Sequence, residues 1–193
     1  MKLIFATNNL HKLSEVQAVL GDEFTLATPK DCGVEEDIPE DQDTLEGNAS
    51  QKSHYIKERT GLDCFADDTG LEVVALNGAP GVHSARYATD GHDFEANNRF
   101  LLKNLEGITD RRARFRTVIS LLMNGEEHLF EGIVEGRIID HEMGHKGFGY
   151  DPLFIPDGYD RTFAEMSAEE KNAISHRGRA VKKLVEYLQG TEK

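Results

Sequence analysis

Two apolar runs flank Asn124-Gly125, and this places a long antiparallel hairpin in the chain. Ala113, Phe115, Thr117, Ile119 and Leu121 alternate with polar or smaller neighbours. Period-two alternation belongs to a strand with one face in a core. Asn-Gly supplies the two positive φ angles of a tight hairpin turn. The return strand runs from about residue 128 to 139. The chain begins differently, with Leu3-Ile4-Phe5-Ala6 as a short buried strand and Thr7-Asn8-Asn9 as a turn. Leu13, Val16, Val19 and Leu20 then recur at helical spacing, giving a helix from near His11 to Gly21.

Between these landmarks the pattern predicts a short strand at Phe24–Ala27 and an acidic, irregular stretch over residues 31–43. A helix capped by Thr44 should run to about Arg59 and stop at Gly61. Leu62–Ala66 and Leu71–Leu76 read as two strands separated by a turn at Asp67-Asp68-Thr69-Gly70. A helix is expected from Phe94 to near Gly107, and a glycine-rich loop over residues 144–151. Ser167-Ala168-Glu169-Glu170 is a capping box that opens another helix. The last helix, to about Gln189, puts Val181, Leu184, Val185 and Leu188 on one face. A strand–helix start, central strands, a hairpin and C-terminal helices together predict a single α/β domain over residues 1–193. It should have a mixed sheet and flanking helices, with two lobes around a central cleft.

The net charge of −13 argues against a duplex-binding protein, which needs a basic face. It does not exclude a mononucleotide, because local cations act within a Debye length of ~8 Å. No apolar stretch approaches membrane-spanning length, and no signal peptide is recognisable, so the expected compartment is the cytoplasm. Cys32 and Cys64 are far apart and read as free thiols.

Five segments carry chemistry. Thr7-Asn8-Asn9-Leu10-His11-Lys12 joins the first strand to the first helix, where unpaired N–H groups and Lys12 attract phosphate. The Gly-Lys-Ser/Thr of a Walker loop is missing. Asp67 and Asp68 are adjacent carboxylates that a strand would point to opposite faces, suited to holding Mg²⁺ or accepting a proton from water. Glu40 is a candidate second metal ligand, with Asp37, Asp41 and Asp67 as rivals. Gly147-Phe148-Gly149-Tyr150-Asp151 puts an aromatic on a flexible loop, where stacking on a nucleobase contributes about 1–3 kcal/mol. Lys171, His176 and Arg177, around the start of the last helix, are donors for carbonyl oxygens, and Lys52 lies on the second helix.

Taken together, these segments resemble the inosine triphosphate pyrophosphatase family, the dITP/XTP pyrophosphatases. The resemblance is carried by Thr7-x-Asn9-x-x-Lys12, Ala66-Asp67-Asp68-Thr69-Gly70-Leu71 and Gly78-Ala79-Pro80-Gly81-x-x-Ser84-Ala85-Arg86-Tyr87. It continues through Phe148-Gly149-Tyr150-Asp151-Pro152 and Ser175-His176-Arg177-Gly178. It implies an elongated mixed α/β fold, a homodimer, and Mg²⁺-dependent cleavage of ITP, dITP or XTP to the monophosphate and pyrophosphate. By resemblance, residues 7–12 and Lys52 hold the triphosphate, and Thr69 takes a place where many relatives have Ser. Glu40 and Asp68 bind the metal, with Asp68 also the general base. Phe148 stacks on the purine within a binding segment running to Asp151. Lys171, His176 and Arg177 face the base. A pyrophosphatase for another nucleotide, and a binding module without catalysis, are the rival readings.

Overall fold

The computed structural model describes residues 1–191. Six strands form one sheet in the order β2-β1-β3-β4-β5-β6. They are β1 (Lys2–Phe5), β2 (Thr25–Ala27), β3 (Cys64–Val73), β4 (Arg112–Met123), β5 (Glu126–Ile138) and β6 (Phe154–Pro156). β1 pairs in parallel with both β2 and β3, whereas β6 is antiparallel to β5, so the sheet is mixed as expected. The helices are α1 (Leu10–Leu20), α2 (Leu45–Thr60), α3 (Phe94–Asn104), α4 (Ala168–Ile174) and α5 (His176–Thr191).

Their ends follow from local chemistry. The Asn9 side chain caps α1 by accepting from the N–H groups of His11 and Lys12 at 3.0 and 3.2 Å. Thr44 caps α2 through the Gly47 N–H at 2.9 Å, and Gly61 ends that helix in the left-handed conformation. Ser167 and Glu170 form the expected capping box of α4. The hairpin turns on Asn124 and Gly125, both at positive φ.

One expectation needs correcting. No turn interrupts the strand at Asp67–Gly70, because residues 64–73 are one continuous strand. Gly70 is small because a backbone lies against it: a Cβ there would stand 2.5 Å from the Gly81 carbonyl oxygen. Residues that commonly make turns are used here for side-chain chemistry and close approach. β6, too short and too close to prolines to show any alternation, had no counterpart in the sequence reading.

The chain divides into two compact units, and β3, β4 and β5 each contribute residues to both. The first comprises residues 1–68, 117–132 and 176–191. Its strands alternate between two cores. Leu3, Phe5, Phe65, Ile119 and Leu121 pack with Val16 and Leu20 of α1 and Ala180, Val181, Leu184 and Leu188 of α5. Ile4, Ala6, Cys64, Ala66 and Leu122 pack on the other side with Ile56 of α2. Asp67 continues the parity of Phe65 and Asp68 that of Ala66, so the two carboxylates leave opposite faces of the strand. The second unit comprises residues 69–116 and 133–175. Its core joins Leu71, Val73, Ala113, Phe115, Val134 and Phe154 to Leu101 and Leu105 of α3 and to Phe163.

Candidate active site

In the first unit, each of the two buried aspartates is met by its own set of partners. Lys12 Nζ donates to Asp67 Oδ1 at 3.2 Å, and Arg177 Nε donates to Asp67 Oδ2 at 3.3 Å. Arg177 also forms a short hydrogen bond with Glu15, and its side chain is only 2% exposed. On the other face, Asn48 Nδ2 donates to Asp68 Oδ2 at 3.0 Å, and Lys52 Nζ lies 3.8 Å from Asp68 Oδ1. Lys52 also donates to Glu40 Oε1 at 2.9 Å and to the Asp67 carbonyl. Lys52 thus touches Glu40 and both aspartates.

These contacts set the ionisation of the group. Burial pushes Asp67 up, but Lys12, Arg177 and Lys52 outweigh it and hold its carboxyl far below the usual range. Burial pushes Asp68 up to about 7; Lys52 opposes this, and a hydrogen bond with Glu40 adds to it. Glu40 moves the other way, because Lys52 and its bond to Asp68 overcome burial. Glu40 and Asp68 therefore share a proton, with Asp68 as its holder. Burial pulls Lys52 down, but Asp68, Glu40 and Asp67 more than restore it. Burial lowers Lys12 more than Asp67 raises it.

The residues fit a hard cation that is completed by its substrate. Among the described residues no group of three or more His, Cys, Asp or Glu side chains is placed to hold a metal. Mg²⁺ is commonly held by one or two carboxylates together with substrate phosphates, and Glu40 and Asp68 supply such a pair. Of the rivals, Asp67 faces Lys12 and Arg177, Asp41 is engaged by Gln51 and Gln42, and Asp37 is exposed.

The second unit holds the aromatic loop. Asp151 Oδ2 accepts from the Phe148 N–H at 3.0 Å and from Lys171 Nζ at 2.6 Å. Lys171 Nζ lies 4.9 Å from the Phe148 ring centroid. Gly147 sits at φ +71, and a Cβ on it would meet Asp151 Oδ2 at 2.2 Å, so the loop closes this tightly only with glycine. Tyr150 is buried, and its hydroxyl donates to the Ser84 carbonyl at 2.7 Å. Asn98 Nδ2 donates to the Gly149 carbonyl at 3.1 Å. Tyr150 and Asp151 thus fix the loop from inside, while Phe148 is only half-buried.

The candidates therefore fall into two groups. Lys12, Glu40, Lys52, Asp68, His176 and Arg177 belong to the first unit with residues 7–11; Thr69, Phe148–Asp151 and Lys171 belong to the second. The Arg177 guanidinium pairs with Glu15 and Asp67. His176 is buried at the start of α5, and Leu10 and His11 are exposed at the start of α1. Sequence reading missed Glu15, Asn48 and Asn98, and gave Ser84 no role beyond its place in a motif. Asn48 had a usable signal, because it stands one helical turn before Lys52 on the same face. Glu15 stands likewise three residues after Lys12.

The sequence pattern of the Ham1 family matches residues 3–187. This chain belongs to the Ham1 family. It is 49% identical over 192 residues to a dITP/XTP pyrophosphatase of Flavobacterium johnsoniae, covering 100% of both chains. It is 52% identical over 188 residues to a dITP/XTP pyrophosphatase of Porphyromonas gingivalis, covering 97% of each. Among solved structures, the Ham1 protein of Staphylococcus aureus superposes with a TM-score of 0.90 at 40% identity, covering 100% of both chains. A HAM1 protein from Coxiella burnetii also reaches 0.90, at 38% identity, covering 98% of this chain and 99% of its own. The mixed six-stranded α/β fold is thus the family's own.

Proposed function

We propose that this Ham1 family chain hydrolyses deaminated purine nucleoside triphosphates, ITP, dITP and XTP, to the monophosphate and pyrophosphate, and so removes them from the nucleotide pool. The observation that carries the reading is the buried Asp68, set with the more exposed Glu40 against the ammonium group of Lys52. Support for the substrate comes from the relatives, which are similar over the whole chain and act as dITP/XTP pyrophosphatases by name.

The residues divide the work. The α1 N-terminus, with Thr7, Asn8, Asn9 and Lys12, binds the triphosphate together with Lys52 and the Thr69 hydroxyl. Glu40 and Asp68 hold Mg²⁺, which when bound neutralises phosphate oxygens and lowers the barrier to water attack. Asp68 Oδ1 or Oδ2 accepts the proton of the water that attacks the α-phosphorus. Its proton affinity near neutrality suits that exchange. Lys12 and Lys52 stabilise the charge that leaves on pyrophosphate. Phe148 stacks on the purine, braced by Asp151 and Lys171. Lys171 and His176 supply donors toward O6, an acceptor in hypoxanthine and xanthine but replaced by an amino donor in adenine. A buried mismatch of this kind costs about 1–3 kcal/mol, roughly 5- to 150-fold. Arg177 braces Asp67. The working form is a homodimer in the cytoplasm that binds neither nucleic acid nor membrane. Among the described residues no helix is long and apolar enough to cross a membrane.

The test is pyrophosphate release from ITP, XTP, dITP, ATP and GTP by the purified protein with Mg²⁺. ITP, dITP and XTP should be turned over at least tenfold faster than ATP or GTP. Equal rates across the panel would overturn the substrate assignment.

A further inference from the structure

We propose that Asn48 is a positioning residue of the reaction, whose side-chain amide fixes the Asp68 carboxylate against the loop that carries Glu40. The inference rests on the reading of Asp68 as the group that acts on the attacking water.

Asn48 lies in the first turns of α2 and is 2% exposed. Its Oδ1 accepts the Gln42 backbone N–H at 2.8 Å, and its Nδ2 donates to Asp68 Oδ2 at 3.0 Å. A backbone N–H only donates, so Oδ1 must face it, and the NH₂ group must then face Asp68. A flipped amide would set donor against donor at one end and acceptor against acceptor at the other. The orientation is therefore dictated by the partners. An aspartate needs such a fixture, because rotation about its terminal torsion is broad and only external partners set the plane of the carboxylate. With Oδ2 held by Asn48, Oδ1 is the oxygen turned toward Lys52.

The same helix grips the loop at three successive residues. Lys52 donates to the Glu40 carboxylate at 2.9 Å. Gln51 accepts the Asp41 N–H at 3.1 Å and donates to Asp41 Oδ1 at 2.7 Å. Asn48 takes the Gln42 N–H. Of the two neutral members of this strap, only Asn48 also reaches a carboxylate of the active set. This separates it from Gln51, whose bonds order the loop alone.

The substitutions use that difference. Asn48→Asp keeps the size of the side chain and an acceptor for the Gln42 N–H, but sets a second carboxylate where the donor to Asp68 stood. Asn48→Ala removes both bonds. Gln51→Ala weakens the loop without touching Asp68. With Mg²⁺ and ITP, both Asn48 variants should lower kcat ten- to hundredfold with KM within threefold of wild type, whereas Gln51→Ala keeps kcat within twofold. The split in kcat against KM is what misorientation of a reacting group produces. A folded Asn48 variant with kcat within twofold of wild type overturns the proposal, as does an equal loss in Gln51→Ala. A measurement on the native side chain covers variants that do not fold. The NMR signal of the Asn48 side-chain amide should move when Asp68→Asn replaces its acceptor, and an unmoved signal overturns the proposal. If wild type releases no pyrophosphate from ITP, the proposed activity fails. If it does and the Asn48 variants match it, only this inference fails.

Discussion

Asp68 shows how one residue can be placed at the expense of the fold. Burial and Glu40 raise its folded carboxyl to about 7, against 3.8 ordinarily. The folded protein therefore binds this proton more tightly than the unfolded chain does. The stability linked to it is complete below about pH 4 and is lost as pH rises toward 7. An amide at this position does not ionise and escapes that loss. Asp68→Asn should thus unfold at a higher temperature than wild type at pH 8 without divalent cations, and the gap should shrink toward pH 4.5. It should also lose turnover of ITP by about 10²- to 10⁴-fold, the range for a general base. Thermal melts at the two pH values and pyrophosphate release check both, and a gap independent of pH would show that Asp68 is not under this strain. Asp67 has the opposite sign. Its depressed carboxyl contributes stability that is present above about pH 4 and fails only at strong acid.

At the scale of elements, what could be read in the sequence followed from periodicity and caps. Ala113–Leu121, Asn124-Gly125, Asn9, Thr44 and Ser167 all did in the fold what their chemistry predicts locally. The Asp67–Gly70 segment misled because its residues favour turns when considered alone. Their partners Lys12, Asn48 and Arg177 are remote in sequence, and the clash that requires Gly70 comes from Gly81. The candidate site was legible as a set of types, two carboxylates with lysines nearby. The partition of Arg177 to Asp67 and Glu15 was not legible, because both orientations of an arginine at the start of a helix have the same sequence. Packing between elements makes its own prediction at Gly132 of β5. A Cβ there would stand 2.0 Å from the His176 carbonyl oxygen and 2.6 Å from the Ala180 nitrogen, both backbone atoms of α5. Neither can rotate away, so Gly132→Ala must displace the first turns of the helix that carries Arg177. We expect a loss of about 1–3 kcal/mol in urea unfolding, with a fall in kcat/KM for ITP. An unchanged urea midpoint would mean that β5 and α5 separate freely.

Charge over the entire chain decides how a polyanionic substrate can bind at all. The chain carries a net −13. The ion-paired set does not offset this locally: Lys12, Lys52 and Arg177 face Glu15, Glu40, Asp67 and Asp68, three cations against four carboxylates. Even with one proton shared by Glu40 and Asp68, the set is no more than neutral. A nucleoside triphosphate brings about four further negative charges. At ~4 Å, each like-charged contact opposes binding by about 4 kcal/mol near a protein surface. The lysines cannot supply the attraction alone, because each is already paired with a carboxylate. A divalent cation at Glu40 and Asp68 changes the balance by two charges where the phosphates sit. Removal of the metal should therefore abolish binding and not merely turnover. Calorimetry with a non-hydrolysable α,β-methylene analogue of ITP is the direct measurement. We expect affinity at least a hundredfold weaker in EDTA than in millimolar Mg²⁺, about 2.7 kcal/mol or more. Equal affinity in the two conditions would mean that the protein's own cations are free to engage phosphate, and that the ion pairs of Lys12 and Lys52 open at little cost.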